Sequence, residues 1–122
     1  MVLRANPERL GVYQIASEVA TQVLRQIRTF PCPERFGLGD QLGRAAVSVP
    51  ANLAEACGRG TVPEFRRFLL YARGSAREVI ALLRVARQSG LADRAKIIAL
   101  ESRATLVVKM IARLYQNPPP DR

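Results

Sequence analysis

Arg66, Arg73, Arg77 and Arg84 stand at i, i+7, i+11 and i+18 of one helical pattern. At 100° per residue they stay within about 20° of one line, a ridge roughly 27 Å long at a rise of ~1.5 Å per residue. Guanidinium groups in such a row suit a phosphate backbone, which can be bound without reading bases. Arg67 and Arg87 flank the row, and Glu78 is close in sequence but projects elsewhere. A solvated face or an intersubunit salt-bridge seam is the competing reading. Arg73 is the member most open to it, because Gly74 and Ser75 permit close helix approach and Glu55 is a candidate partner inside the bundle. Trp is absent and aromatic residues are few. No interleaving of aromatic and basic residues is evident, so stacking of single strands is not indicated.

A second group lies in the preceding segment, RAAVSVPANLAEACGR at 44–59. Arg44, Ser48, Glu55 and Arg59 fall along one helical flank, with Asn52 between that flank and the apolar stripe. Five polar residues in this register suggest a seam against another helix or another subunit. A satisfied buried network that fixes register accounts for it; a ligand or RNA contact site is the alternative. Pro50 sits in the middle of the segment. A proline inside a helix removes one backbone hydrogen bond and crowds the carbonyl four residues before it, here that of Ala46, at a cost of ~3 kcal/mol or more. Helical periodicity resumes on both sides, so one helix kinked at Pro50 is expected. Ser48 is placed to satisfy loose backbone groups near the bend.

Other chemistry is disfavoured by what the chain lacks. There is no histidine, which removes the commonest general base and metal ligand. Cys32 and Cys57 fit no metal-ligand spacing and read as small, semi-buried, reduced thiols. No Gly-rich phosphate loop or nucleophile elbow appears. An enzyme is not expected, nor are catalytic residues, a metal site or a cofactor.

Four amphipathic segments must position these groups. Asn6-Pro7-Glu8 reads as a helix start, and Tyr13, Ala16, Ala20, Val23, Leu24 and Ile27 share one face, predicting a helix over 7–29. Phe30-Pro31-Cys32-Pro33 ends it, and a loop runs to Phe36-Gly37. A helix over 39–57 carries Leu42, Ala45, Ala46, Val49, Leu53 and Ala56 and stops at Gly58-Arg59-Gly60. Thr61-Val62-Pro63-Glu64 is a capping box. It opens a third helix with Phe65, Phe68, Leu69, Ala72, Ala76, Val79, Leu83 and Ala86 inward, closed by Gly90. A fourth spans 92–115, with Ile97, Leu100, Ala104, Val107, Val108, Ile111, Leu114 and Tyr115. The Pro-rich end, 116–122, is expected to be disordered. No segment alternates with period two, so the fold class is all-α: an antiparallel up-down-up-down four-helix bundle.

The 122 residues suit one domain, with its core over 7–115. Nothing approaches the ~20 apolar residues of a membrane span, and no signal-peptide pattern opens the chain, so a cytoplasmic protein is expected. The balance of 19 basic and 10 acidic side chains gives a net charge of +9, with lysine only at Lys96 and Lys109. That charge fits an RNA partner; it fits equally an Arg-rich proteome solvating an ordinary surface.

Phe36-Gly37-Leu38, Gln41-Leu42, the run Arg44 to Glu55 and Gly58-Arg59 together resemble the signature of the 23S ribosomal RNA intervening-sequence protein family. Glu64-Phe65, Phe68-Leu69, Ala72-Arg73-Gly74-Ser75 and Glu78 resemble its second block. The resemblance spans roughly 8–115. Two positions depart from the pattern: Gly43 replaces a bulkier, often basic residue, and Ala56 replaces a glycine, so no positive φ is needed there. The resemblance implies a four-helix bundle that assembles with itself, a ring of five, and kinship with the accessory protein of diversity-generating retroelements, whose relatives bind nucleic acid and a reverse transcriptase. The family's name reflects where some of its genes sit, which is not an activity. An RNA-binding accessory role through the ridge is therefore expected, with a protein-interaction or assembly scaffold as the alternative.

Overall fold

The computed structural model describes residues 6–7 and 10–119. Five helices follow one another: α1 (Gly11–Ile27), α2 (Cys32–Phe36), α3 (Leu38–Cys57), α4 (Val62–Gln88) and α5 (Arg94–Gln116). The four long ones match the periodic segments. The first starts later than expected. Pro7 belongs to a single turn closed by the Leu10 amide on the Pro7 carbonyl, 3.0 Å, and α1 begins only at Gly11; Glu8 lies outside the described residues. The stretch read as a loop after Phe30 contains the short α2. Pro33 occupies its first turn, where a missing N–H costs nothing, and Glu34 follows it there.

Termini elsewhere follow local chemistry. Thr61 caps α4 by accepting from the Glu64 amide, 3.4 Å, and Asp93 caps α5 by accepting from the Lys96 amide, 3.0 Å. After α4, Gly90 takes φ +71° and the Leu91 amide reaches back to the Ala86 carbonyl, 2.9 Å. That is the glycine-terminated helix end, with Leu91 buried as its hydrophobic contact. Gln116 completes α5, so the tail starts later than predicted; residues 120–122 lie outside the described residues.

Paired contacts run in opposite chain order between α3 and α4 and between α4 and α5. Ser48 touches Ser75 and Arg59 nears Glu64 between α3 and α4; Arg66 reaches Tyr115 and Arg84 reaches Glu101 between α4 and α5; Glu18 meets Arg103 between α1 and α5. This is the order that an up-down-up-down bundle requires. The core is one apolar cluster drawn from all four long helices, with Phe30 and Phe65 its largest members. Every predicted inward residue of α3 is buried. On α1 the buried face is rotated: Val12 and Val19 are inside, whereas Leu24 is 42% exposed. Gly43 is buried against α1, where a Cβ would stand in van der Waals contact with Leu24 and Ile27 at 3.4 and 3.5 Å, and it lines the open groove between α1 and α3. α3 runs unbroken through Pro50, and Ala56 is buried within it.

Candidate nucleic-acid interface

Arg66, Arg84 and Arg87 reach α5, and helical spacing sets Arg73 and Arg77 on the same line of α4, but the fold uses them differently. Arg66 is half-buried; its Nε donates to the Tyr115 carbonyl, 2.9 Å, and its guanidinium lies 5.1 Å from the Tyr115 ring centre. It closes the last turn of α5 by satisfying one of the orphan carbonyls at a helix end. Arg87 donates from Nε to Glu101 Oε2, 2.8 Å, and Arg84 Nε is 3.5 Å from Oε1 of the same carboxylate. Glu101 is only 13% exposed in its side chain, against 61% for Arg84. The ridge is therefore anchored at both ends. Arg73, half-buried, and Arg77, exposed, have no ion pair among the described residues. The pairing of Arg73 with Glu55 does not occur: Glu55 binds Arg59 one turn on, 3.0 Å.

A residue that periodicity did not find extends this face. Lys109 of α5 lines an open groove of about 550 Å³ with Arg84, Arg87, Glu101 and Thr105. Its signal was faint: it is one of only two lysines. The position becomes informative only once α5 is laid against α4.

The polar flank of α3 divides in two. At its centre the Ser48 and Ser75 hydroxyls hydrogen-bond across to each other, 2.9 Å, and Asn52 Nδ2 donates to both the Ser48 carbonyl and hydroxyl, 2.9 Å each. Ser48 therefore joins α3 to α4 and to Asn52, rather than serving the carbonyl that Pro50 leaves without a donor. Towards the start of α3, Arg44, Ser48, Ser75 and Glu78 line an open groove of about 500 Å³ with Phe36, Asp40 and Gln41. Towards its end, Arg59 joins Glu55 and approaches Glu64 at 3.9 Å.

The second block of the pattern supplies an arrangement the sequence did not reveal. Arg59 lies 4.9 Å and Arg67 5.0 Å from the centre of the Phe68 ring, and Arg67 is 5.9 Å from that of Tyr71. Phe68 and Tyr71 meet edge to face, centroids 5.3 Å apart. The hydrogen bond from Arg67 to Glu64, 2.9 Å, pushes its guanidinium further up, so it stays charged. Aromatic and basic groups are thus interleaved in space, contrary to the linear reading. The signal was Arg67, Phe68 and Tyr71 at i, i+1 and i+4, completed by Arg59 from α3.

The cysteines do not meet: Cys32 is exposed, and Cys57 is buried, its thiol pushed up to about 11 by desolvation. Among the described residues no three His, Cys, Asp or Glu side chains are grouped to hold a metal ion, and no helix is long and apolar enough to cross a membrane.

No curated protein matches the chain. Among solved structures it is similar to a protein of unknown function from the S23 ribosomal protein family of Bacteroides thetaiotaomicron, with a TM-score of 0.80 and 19% identity over 87% of this chain and 99% of that one. At that identity the likeness concerns the fold. Residues 8–113 match the 23S rRNA-intervening sequence protein family, and the chain belongs to that family.

Proposed function

We propose that this protein is a non-enzymatic, self-assembling RNA-binding accessory protein that holds nucleic-acid backbone on the α4–α5 face. The observation that carries this reading is the pair Arg73 and Arg77, cations without a carboxylate partner among the described residues, set between Arg66 and Arg84, the latter sharing a groove with Lys109. Each free guanidinium can neutralise one phosphate and release its counterions. The net charge of +9 draws a polyanion to the surface from a distance.

The test is binding of structured RNA over a range of salt, with Arg73→Gln/Arg77→Gln as the variant. Affinity should fall linearly in log–log form with salt, and the double variant should weaken binding to all sequences alike while its melting temperature changes little, since neither guanidinium has an ion pair among the described residues and charges at a surface contribute ~0–1 kcal/mol each. A second reading, an assembly scaffold without RNA, is favoured by Leu70, Tyr71 and Val85, 39–49% exposed on α4. Absence of RNA binding at low salt, with loss of assembly in the double variant, selects it.

A further inference from the structure

Gly74 stands in the middle of α4, exposed, and a Cβ built on it would meet nothing within 4 Å. Glycine inside a helix is destabilising by roughly 0.5–1 kcal/mol relative to alanine. Among the described residues, no neighbour requires the absence of a side chain at that point. The helix surface at Gly74 is therefore bare.

What surrounds Gly74 has a definite chemistry. Tyr71 and Arg77 lie on opposite flanks, about 60° to either side at 100° per residue and ~9 Å apart along the axis. Tyr71 is 49% exposed, meets Phe68 edge to face and has the Arg67 guanidinium 5.9 Å from its ring centre. Arg77 is exposed and without an ion pair among the described residues. Leu70, 39% exposed, lies between them. Glu78 stands on the Tyr71 flank about two turns further on, a like charge that makes the Arg77 flank the more favourable side for a polyanion.

We propose that the outer face of α4 is a platform for unpaired nucleotides: a base stacks on Tyr71, the sugar–phosphate chain crosses the bare helix surface at Gly74, and phosphates sit on Arg77 and Arg73. This rests on the RNA-binding reading and specifies the form of nucleic acid. A duplex presents its bases already stacked and cannot use the ring; a single strand can, and stacking on an aromatic is tolerant of sequence.

The experiment compares a labelled oligouridylate strand with a blunt RNA duplex of equal length, by fluorescence anisotropy at low salt. The strand is expected to bind more tightly. Tyr71→Ala should cut strand affinity about tenfold, in the range found for one stacked base, and leave duplex affinity unchanged, while Tyr71→Phe retains binding. Gly74→Leu should weaken the strand by obstructing the crossing, whereas Gly74→Ala melts no lower than the parent chain, which separates obstruction from misfolding. Equal affinity for strand and duplex, with Tyr71→Ala silent, overturns the platform and leaves backbone binding standing. Binding of neither probe overturns both. A Gly74→Leu variant that binds the strand normally but changes the mass of the assembly makes this face a contact between chains, and the platform falls.

Discussion

Glu101 is the residue on which stability and binding pull in opposite directions. Its carboxylate is largely buried and holds Arg87 at 2.8 Å and Arg84 at 3.5 Å. Glu101→Gln removes the charge while keeping the shape. Hydrogen bonds to charged groups contribute about 1.5–3 kcal/mol, so the variant should be less stable by about 1–3 kcal/mol in urea melts. The same change frees two guanidiniums beside Arg77 and Lys109. RNA affinity at low salt should therefore rise while stability falls. A variant that loses both shows that Glu101 only shapes the α4–α5 contact. Arg66 will not behave like its neighbours, because its task is the Tyr115 carbonyl; the wheel placed it correctly, but a wheel carries no information about which backbone groups a neighbouring helix leaves unsatisfied.

At the scale of the element, periodicity reported what depends on one helix alone. The inward residues of α3, Leu42 to Ala56, could be read directly because each is buried by the stripe's own geometry. Leu24 is exposed because it stands at the edge of the α1 stripe, about 90° round from the middle of the arc formed by Val12, Ala16, Val19, Ala20, Val23 and Ile27 at 100° per residue, and Asn6-Pro7-Glu8 looks like a cap although the helix begins at Gly11. The short α2 went unseen since five residues give no period, and the Arg59–Phe68–Tyr71 cluster went unseen because it joins two helices. Pro50 tests the same logic. α3 passes through it, so Pro50→Ala should keep the helix and restore an amide to face the Ala46 carbonyl. That bond is worth about 1 kcal/mol, offset by the ~0.4–1 kcal/mol that proline contributes by stiffening the unfolded chain. Relief of the crowding at the Ala46 carbonyl adds to this, so net stability should stay level or rise by up to about 3 kcal/mol, while removal of the bend we propose there alters how α3 lies on its neighbours. A loss beyond about 3 kcal/mol would show that the core is built around the proline.

For the whole molecule, the exposed features are ones that a single copy leaves idle: the groove from Arg44 to Glu78, the apolar side chains Leu70 and Val85, and a basic face whose Arg73, Arg77 and Lys109 have no ion pair among the described residues. Light scattering at micromolar concentration should give about five chains, the closed ring that we infer from the family pattern. A ring repeats the basic face, so weak sites act on one polyanion at high effective concentration. Two consequences can be measured together. The log–log salt slope of RNA binding should be steeper than Arg73, Arg77, Arg84 and Lys109 of one subunit allow, since each neutralised phosphate contributes roughly 0.9 on a duplex. Arg73→Gln/Arg77→Gln should flatten it by about two for every subunit engaged, because each lost contact removes about one. A monomeric mass combined with a slope of four or less, on the order expected from one subunit, would sink the ring and leave a lone bundle touching RNA along one helix pair. A mass of about five chains with the single-subunit slope would mean that the faces point away from a common ligand, and avidity plays no part.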